Sequence, residues 1–214
     1  MGFYHLSIDL TDCMCLVVGG GSVGERKIMS LLDANARVTL VSPVATRVLS
    51  DLALARKIVW LRREYKNSDI EGKTLVFAAT GNSNLNVRIA EACKKKGIWV
   101  NVADDPEKCT FMVPSVVKRG DLQIAISTGG KSPALARYLR EQIEAELGPD
   151  YSLWVEFLGN IRSFIKSACP YDQKRREEVL RRLVGDEILF RLVVRGKEDL
   201  AKERVKQCLS LPSV

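Results

Sequence analysis

Apolar and polar residues fall along the first half of the chain in short blocks whose period switches from one block to the next. The run Cys15-Leu16-Val17-Val18 is continuous, as for a strand covered on both faces, and Gly19-Gly20-Gly21-Ser22-Val23-Gly24 follows at once. Residues 25–35 then place Ile28, Leu31 and Leu32 at helical spacing, and residues 37–41 return to a strand pattern. Further strands are predicted at residues 58–61, 74–79 and 98–102. A helix over residues 84–96 separates the last two and ends at Gly97, which suits a left-handed cap. Strands alternating with helices imply an α/β fold with a parallel sheet, whose ligands sit at the carboxyl ends of the strands. Those ends are the glycine turn, Ser42-Pro43, Thr80-Gly81 and Asp104.

The rhythm changes after residue 110. Residues 111–117 and 122–127 flank Lys118-Arg119-Gly120-Asp121, a hairpin turn. Ser127-Thr128-Gly129-Gly130-Lys131 leads into a helix with Ser132 as N-cap and Pro133 in its first position. Leu135, Leu139, Ile143 and Leu147 repeat every four residues along it, and Gly148-Pro149 stops it. Beyond Tyr151 the pattern is helical, with one stripe at Leu153, Phe157, Ile161 and Ile165 and another at Val179, Leu180, Leu183 and Val184. A last helix is predicted over residues 198–209. These changes divide the chain into a nucleotide-binding domain (1–112), a hairpin-plus-helix segment (113–148) and a small helical domain (149–214).

Composition narrows the partners. A chain of 214 residues with 46% hydrophobic residues buries a substantial core. It holds no apolar run long enough for a bilayer, and Met1-Gly2-Phe3-Tyr4-His5 lacks the start of a secretory leader, so a cytoplasmic protein without a membrane partner is expected. The six cysteines show neither zinc spacing nor a disulfide framework and read as reduced packing residues. No metal constellation accompanies the single histidine, His5. The net charge of +7 suits a polyanion or simply a solvated basic surface. No zinc finger or RNA-binding aromatic signature supports nucleic acid, and an acidic small molecule or a solvated basic surface explains the charge equally well.

The glycine turn has the order of a Rossmann-type dinucleotide site. Gly19 permits a tight exit from the strand, Gly21 lets the backbone approach a pyrophosphate, and Gly24 lets the helix pack closely on the sheet. The pyrophosphate then lies on the helix N-terminus at Ser22 and Val23, unless the turn is only structural. At the end of the second strand the acidic residue that binds a ribose is replaced by Ser42-Pro43-Val44. Ser42 can hydrogen-bond a ribose but cannot repel the extra phosphate of NADP.

Residues 17–27, Ala78-Ala79-Thr80, Asn101-Val102-Ala103-Asp104, Phe111-Met112-Val113-Pro114-Ser115 and residues 126–137, in this order, carry a family resemblance. The chain resembles the siroheme-synthase N-terminal type, precorrin-2 dehydrogenases that in some cases are also sirohydrochlorin ferrochelatases. The resemblance implies NAD-dependent oxidation of precorrin-2 to sirohydrochlorin, with Gly19, Gly21, Ser22, Val23, Gly24, Ser42, Pro43, Val44 and Thr80 around NAD. Asp104 matches the family's catalytic aspartate, a general base that takes the substrate proton. Read without the resemblance, Asp104-Asp105-Pro106 is also ordinary turn chemistry. Precorrin-2 is rich in carboxylates, which gives the basic charge a purpose; Ser127, Thr128, Gly129 and Lys131 are the candidate holders. Arg137 and Arg140, three apart, face this ligand or solvent.

Family likeness further implies a homodimer paired through the middle segment, and precorrin-2 supplied by a separate methyltransferase. Iron insertion is an open second activity, since Asp104 could also remove the macrocycle's protons. The rival reading is a non-catalytic NAD-responsive regulator whose basic helical C-terminus binds DNA or protein. The absence of a helix-turn-helix signature weighs against it, and the absorbance of sirohydrochlorin formed with NAD separates the two.

Overall fold

The computed structural model describes residues 4–210, so Met1, Gly2 and Phe3, part of the start read for a leader, lie outside the described residues. The chain divides between Val113 and Pro114 into two compact units. The first contains β1 (Met14–Gly20), α1 (Ser22–Asp33), β2 (Arg37–Ala45), α2 (Arg47–Leu54), β3 (Val59–Leu61), β4 (Leu75–Ala78), α3 (Ser83–Lys95) and β5 (Trp99–Val102). All five strands are parallel in the order β3-β2-β1-β4-β5, a Rossmann-type sheet whose direction of winding reverses beside β1.

Successive side chains of a strand point to opposite faces, and the unbroken apolar run in β1 serves both. Cys15 and Val17 join Ile28, Leu31, Leu40, Leu49 and Phe77 in one core, while Leu16 and Val18 join Val41, Val76, Ile89, Cys93 and Val100 in the other. Two boundaries differ from the sequence reading. The strand predicted at 37–41 continues through Ser42, Pro43 and Val44, because Gly20 of β1 pairs with Ala45 after a register shift. Helix α2, unforeseen, starts where the Thr46 side chain accepts the Leu49 N–H. The stretch predicted as strand from residue 111 pairs only from Ser115; Phe111 instead packs edge-on against Phe77, ring centroids 5.4 Å apart.

The second unit opens with β6 (Ser115–Arg119) and β7 (Leu122–Ile126), an antiparallel hairpin that turns at Gly120, φ 58°. Helices α4 (Pro133–Glu146), α5 (Tyr151–Ala168), α6 (Gln173–Val184), α7 (Glu187–Val194) and α8 (Glu198–Ser210) follow. Ser132 caps α4 as expected, accepting the Leu135 N–H at 3.2 Å. Arg119 donates to the carbonyls of Glu144 and Leu147 at its other end. The apolar stripe of α5 keeps its predicted Phe157, Ile161 and Ile165 but takes Trp154 in place of Leu153: Trp154, Ile161 and Ile165 are buried with Val179, Leu183, Leu189 and Val205, whereas Leu153 is 47% exposed. The volume of the indole decides this, since its ring fills the space between Phe157 and Phe190.

Asp186 ties α7 to α8. One carboxylate oxygen caps the Leu189 N–H at 3.0 Å and the other accepts from Arg204 Nε at 2.7 Å. Burial alone would raise this carboxyl, but Arg204 and the cap together hold it below the ordinary carboxylate range. A depressed carboxylate stabilises the fold above its unfolded value, about pH 4, and that stabilisation is lost as pH falls through the folded value. Asp186→Asn should therefore lower the thermal midpoint at pH 7, with the two proteins' midpoints converging toward about pH 2 in melts followed by circular dichroism.

Candidate functional site

The glycine turn is shaped by close backbone approach. At Gly19, with φ at 110°, a Cβ would stand 2.2 Å from the Ala79 carbonyl oxygen. At Gly24 it would stand 2.0 Å from the Gly19 oxygen, so α1 lies directly on the end of β1. Gly20, to which the sequence assigned no role, is equally confined, its Cβ falling 2.3 Å from Val44 O. Gly21 differs: nothing lies within 4 Å of its Cβ position. The turn is thus closed toward the protein and open on one side.

Gly21 is the N-cap of α1, and no side chain caps the helix. The first intrahelical bond runs from Glu25 N–H to Gly21 O, leaving the N–H groups of Ser22, Val23 and Gly24 ahead of it. Such an end favours an anion. A cleft of about 410 Å³ opens here, lined by Gly19, Gly21, Ser42, Pro43, Val44 and Thr80 of the expected residues. Two of these have structural duties: the Ser42 hydroxyl accepts the Gly20 N–H at 3.1 Å, and the Thr80 hydroxyl stands 2.6 Å from Asn86 Oδ1.

Several lining or supporting residues escaped the sequence reading. Asn86, 5% exposed, accepts the Thr80 N–H and donates to its carbonyl, clamping the end of β4. Arg63 grips Asp69 through both carboxylate oxygens at 2.9 and 2.6 Å, and this partner, with the Lys66 N–H, holds the Asp69 carboxyl below its usual range. Tyr65 lines the cleft; burial pushes its phenol up to about 12, and its hydroxyl is buried without a partner. A polar residue at a core position of a helix, as at Asn86, was the one available signal.

Asp104 follows β5. The pairing of Ala78 with Val102 puts it at the same level as Thr80, one strand away along the sheet edge. Its backbone is left-handed, φ 62°, and its side chain is exposed. In the second unit, Gly129 and Gly130 adopt φ of 61° and 82°; the Ser127 and Thr128 hydroxyls accept the Gly129 and Ser132 N–H groups, and Lys131 is exposed. Arg137 pairs with Glu141 at 2.9 Å and Arg140 with Glu144. No cluster of metal-ligating side chains occurs among the described residues.

Residues 6–115 match the family model described as "Putative NAD(P)-binding". The chain belongs to this NAD(P)-binding family. A nicotinamide dinucleotide fits what the family's cleft offers here: a turn too tight for any Cβ at Gly19 and Gly24, an open approach at Gly21, and an uncapped helix end. Residues 119–146 match a second model, the sirohaem biosynthesis protein central region. Siroheme synthase of Thioalkalivibrio sulfidiphilus is 39% identical over 209 residues, 98% of this chain and 42% of the relative. Siroheme synthase 1 of Aeromonas salmonicida is 39% identical over 203 residues, 95% of this chain and 43% of its own. The chain spans less than half the length of these curated relatives. The solved structure of SirC, precorrin-2 dehydrogenase, shares the fold with a TM-score of 0.77 at 24% identity, over 97% of this chain and 98% of that one.

The four glycines separate two kinds of constraint that this family places on its turn. Gly21→Ala should leave thermal stability within about 1 kcal/mol of wild type while weakening the binding of a nicotinamide dinucleotide in calorimetric titration. Gly19→Ala should lower stability itself, by about 1–3 kcal/mol or more, since it combines a left-handed backbone with a carbonyl collision.

Proposed function

We propose that the chain oxidises precorrin-2 to sirohydrochlorin, with NAD as the acceptor. The observation that carries this reading is the placing of an exposed carboxylate, Asp104, one strand along from the cleft at Thr80, at the end of the sheet where the family holds its dinucleotide. When bound, the nicotinamide accepts a hydride. The reaction also releases a proton from the substrate, and Asp104 is the base that receives it. The printed names of the relatives, siroheme synthases and a precorrin-2 dehydrogenase, support the same substrate.

NAD is preferred over NADP on the family resemblance, and of the two arginines near Val44, Arg62 and Arg63, the one lining the cleft is already neutralised. Arg63 lines the cleft but holds Asp69 with both terminal nitrogens. A 2′-phosphate calls for an arginine able to turn toward it. Arg62 stacks over Trp60 and lines the neighbouring hollow with Ala45 and Ser50. Ser127, Thr128, Gly129 and Lys131 are the proposed holders of the substrate's carboxylates, with the exposed Lys131 ammonium as the charged donor. Arg137, 76% exposed and paired with Glu141, serves the helix surface first.

The middle segment pairs with a second copy. Leu135, Tyr138 and Leu139 on α4 are exposed at 48, 57 and 38%, an apolar face that a homodimer would cover. The six free thiols suit a reducing compartment, the cytoplasm, and no described helix is long and apolar enough to cross a membrane.

Two measurements test the proposal. Asp104→Asn should fold and bind NAD but lose about 10²–10⁴-fold in the rate of sirohydrochlorin formation followed by absorbance; wild-type turnover would remove the aspartate from the reaction. With wild-type protein, kcat/KM should favour NAD over NADP by about tenfold or more, and the reverse preference would overturn the reading of Arg63.

A further inference from the structure

The turn that carries Asp104 is not held by regular backbone pairing. The last ladder pair joins Ala78 to Val102, and the Ala103 N–H reaches Ala78 O at 2.9 Å; beyond that point the sheet provides nothing. The Lys108 N–H reaches Asp105 O at 3.3 Å, and the side-chain atom that joins the residues before and after Asp104 is a sulfur. The Val102 N–H donates to Cys109 Sγ at 3.1 Å, and Asn101 Nδ2 approaches the same sulfur at 3.6 Å. The thiol in turn lies within reach of the carbonyls of Asp105, at 3.3 Å, and Val102, at 3.5 Å. One side chain therefore bonds the backbone on both sides of Asp104.

Cys109 is itself anchored. Its N–H meets Pro106 O, and the next residue, Thr110, exchanges bonds with Val100: N–H to O at 2.8 Å, and Val100 N–H to Thr110 Oγ1 at 2.7 Å. Asn101 Nδ2 also donates to Phe111 O at 3.2 Å. The sulfur is thus fixed from β5, while the backbone at Asp104 is left-handed, φ 62°, a conformation open to aspartate but held only where local contacts favour it.

We infer that Cys109 is the positioning residue of Asp104: its thiol clasps Val102 and Asp105 and so imposes the left-handed turn that presents the carboxylate to substrate. Burial raises the thiol above its usual range, so it stays protonated at neutral pH and keeps the hydrogen it donates to a carbonyl. Cysteine suits the place because a sulfur can accept from two N–H groups while donating to one oxygen. The inference rests on Asp104 as the base, and the experiment separates the two.

Cys109→Val keeps an apolar side chain in the site and removes every bond; Cys109→Ser keeps a donor and acceptor. In Cys109→Val, kcat should fall by about 10- to 100-fold while the NAD dissociation constant stays within about twofold. Cys109→Ser should recover most of the loss. Hydrogen exchange at the Val102 amide should quicken in Cys109→Val and not in Cys109→Ser. Combining Cys109→Val with Asp104→Asn should give an enzyme no slower than Asp104→Asn alone, because the thiol acts through the carboxylate. Wild-type turnover in Cys109→Val, or a full further loss in the double variant, overturns the inference. If Asp104→Asn alone turns over normally, the base assignment fails, and the exchange rate at Val102 still shows whether the thiol holds the turn.

Discussion

Two backbone contacts at Gly19 govern the first unit. The carbonyl of Ala79 occupies the space a side chain would need at Gly19, and the carbonyl of Gly19 occupies the space a side chain would need at Gly24. These approaches join β1, β4 and α1 at one point, and they can exist only because both positions lack a Cβ. Closing the backbone there sends Gly21 outward as an uncapped helix start. The anion site is what remains when three elements are brought to contact at their ends, and its dipole comes with the helix.

That junction is kept in place by buried polar groups that bond the backbone. Ser42 receives Gly20, Trp60 donates to the Ser42 carbonyl at 2.9 Å, and Asn86 bonds both backbone groups of Thr80. Each one satisfies a backbone group that would otherwise be stranded at a strand end next to a cleft, where desolvation makes an unpaired group costly. The Tyr65 hydroxyl is the buried polar side-chain atom of the described residues without such a partner, and it belongs to a residue lining the cleft. Among the described residues, the one buried side-chain atom left without a partner is thus a phenol of the cleft, near a helix end that no side chain caps.

Much of this was legible in the chain. Period-two and period-3.6 blocks gave the strands β1 to β5 and the helices α1 and α3, and the spacing of Gly19, Gly21 and Gly24 predicted three separate duties for them. What escaped were contacts between segments distant in sequence. Gly20 looked like filler because its neighbour, Val44, is set by a register shift that no local pattern records. Ser42 was read as a ribose ligand, and its hydroxyl accepts from a backbone amide twenty-two residues away. Cys109 reads as a small packing residue, though its sulfur accepts from Val102 N–H and Asn101 and has one hydrogen to donate to the Asp105 or Val102 carbonyl. On α5 the stripe was right at Phe157, Ile161 and Ile165 and missed only its first position, because spacing alone cannot show that Trp154 takes the interior place instead of Leu153.

The net charge of +7 also means less for ligand binding than composition suggests. In the second unit, Arg137, Arg140, Arg182, Arg191 and Lys202 each face an acidic residue four positions away on the same helix. Such pairs contribute about 0.3–0.5 kcal/mol each and turn their cations toward the helix surface. Arg63 and Arg204 hold Asp69 and Asp186, and Lys27 sits 5.6 Å over the Phe77 ring, where burial lowers its ammonium. At the cleft, the donors left without a side-chain cap are the backbone N–H groups at the start of α1. Directional donors of this kind discriminate by the shape of the anion, whereas a diffuse basic surface only raises its local concentration. The chain's selectivity for its ligands accordingly resides in where glycine lets the backbone come close.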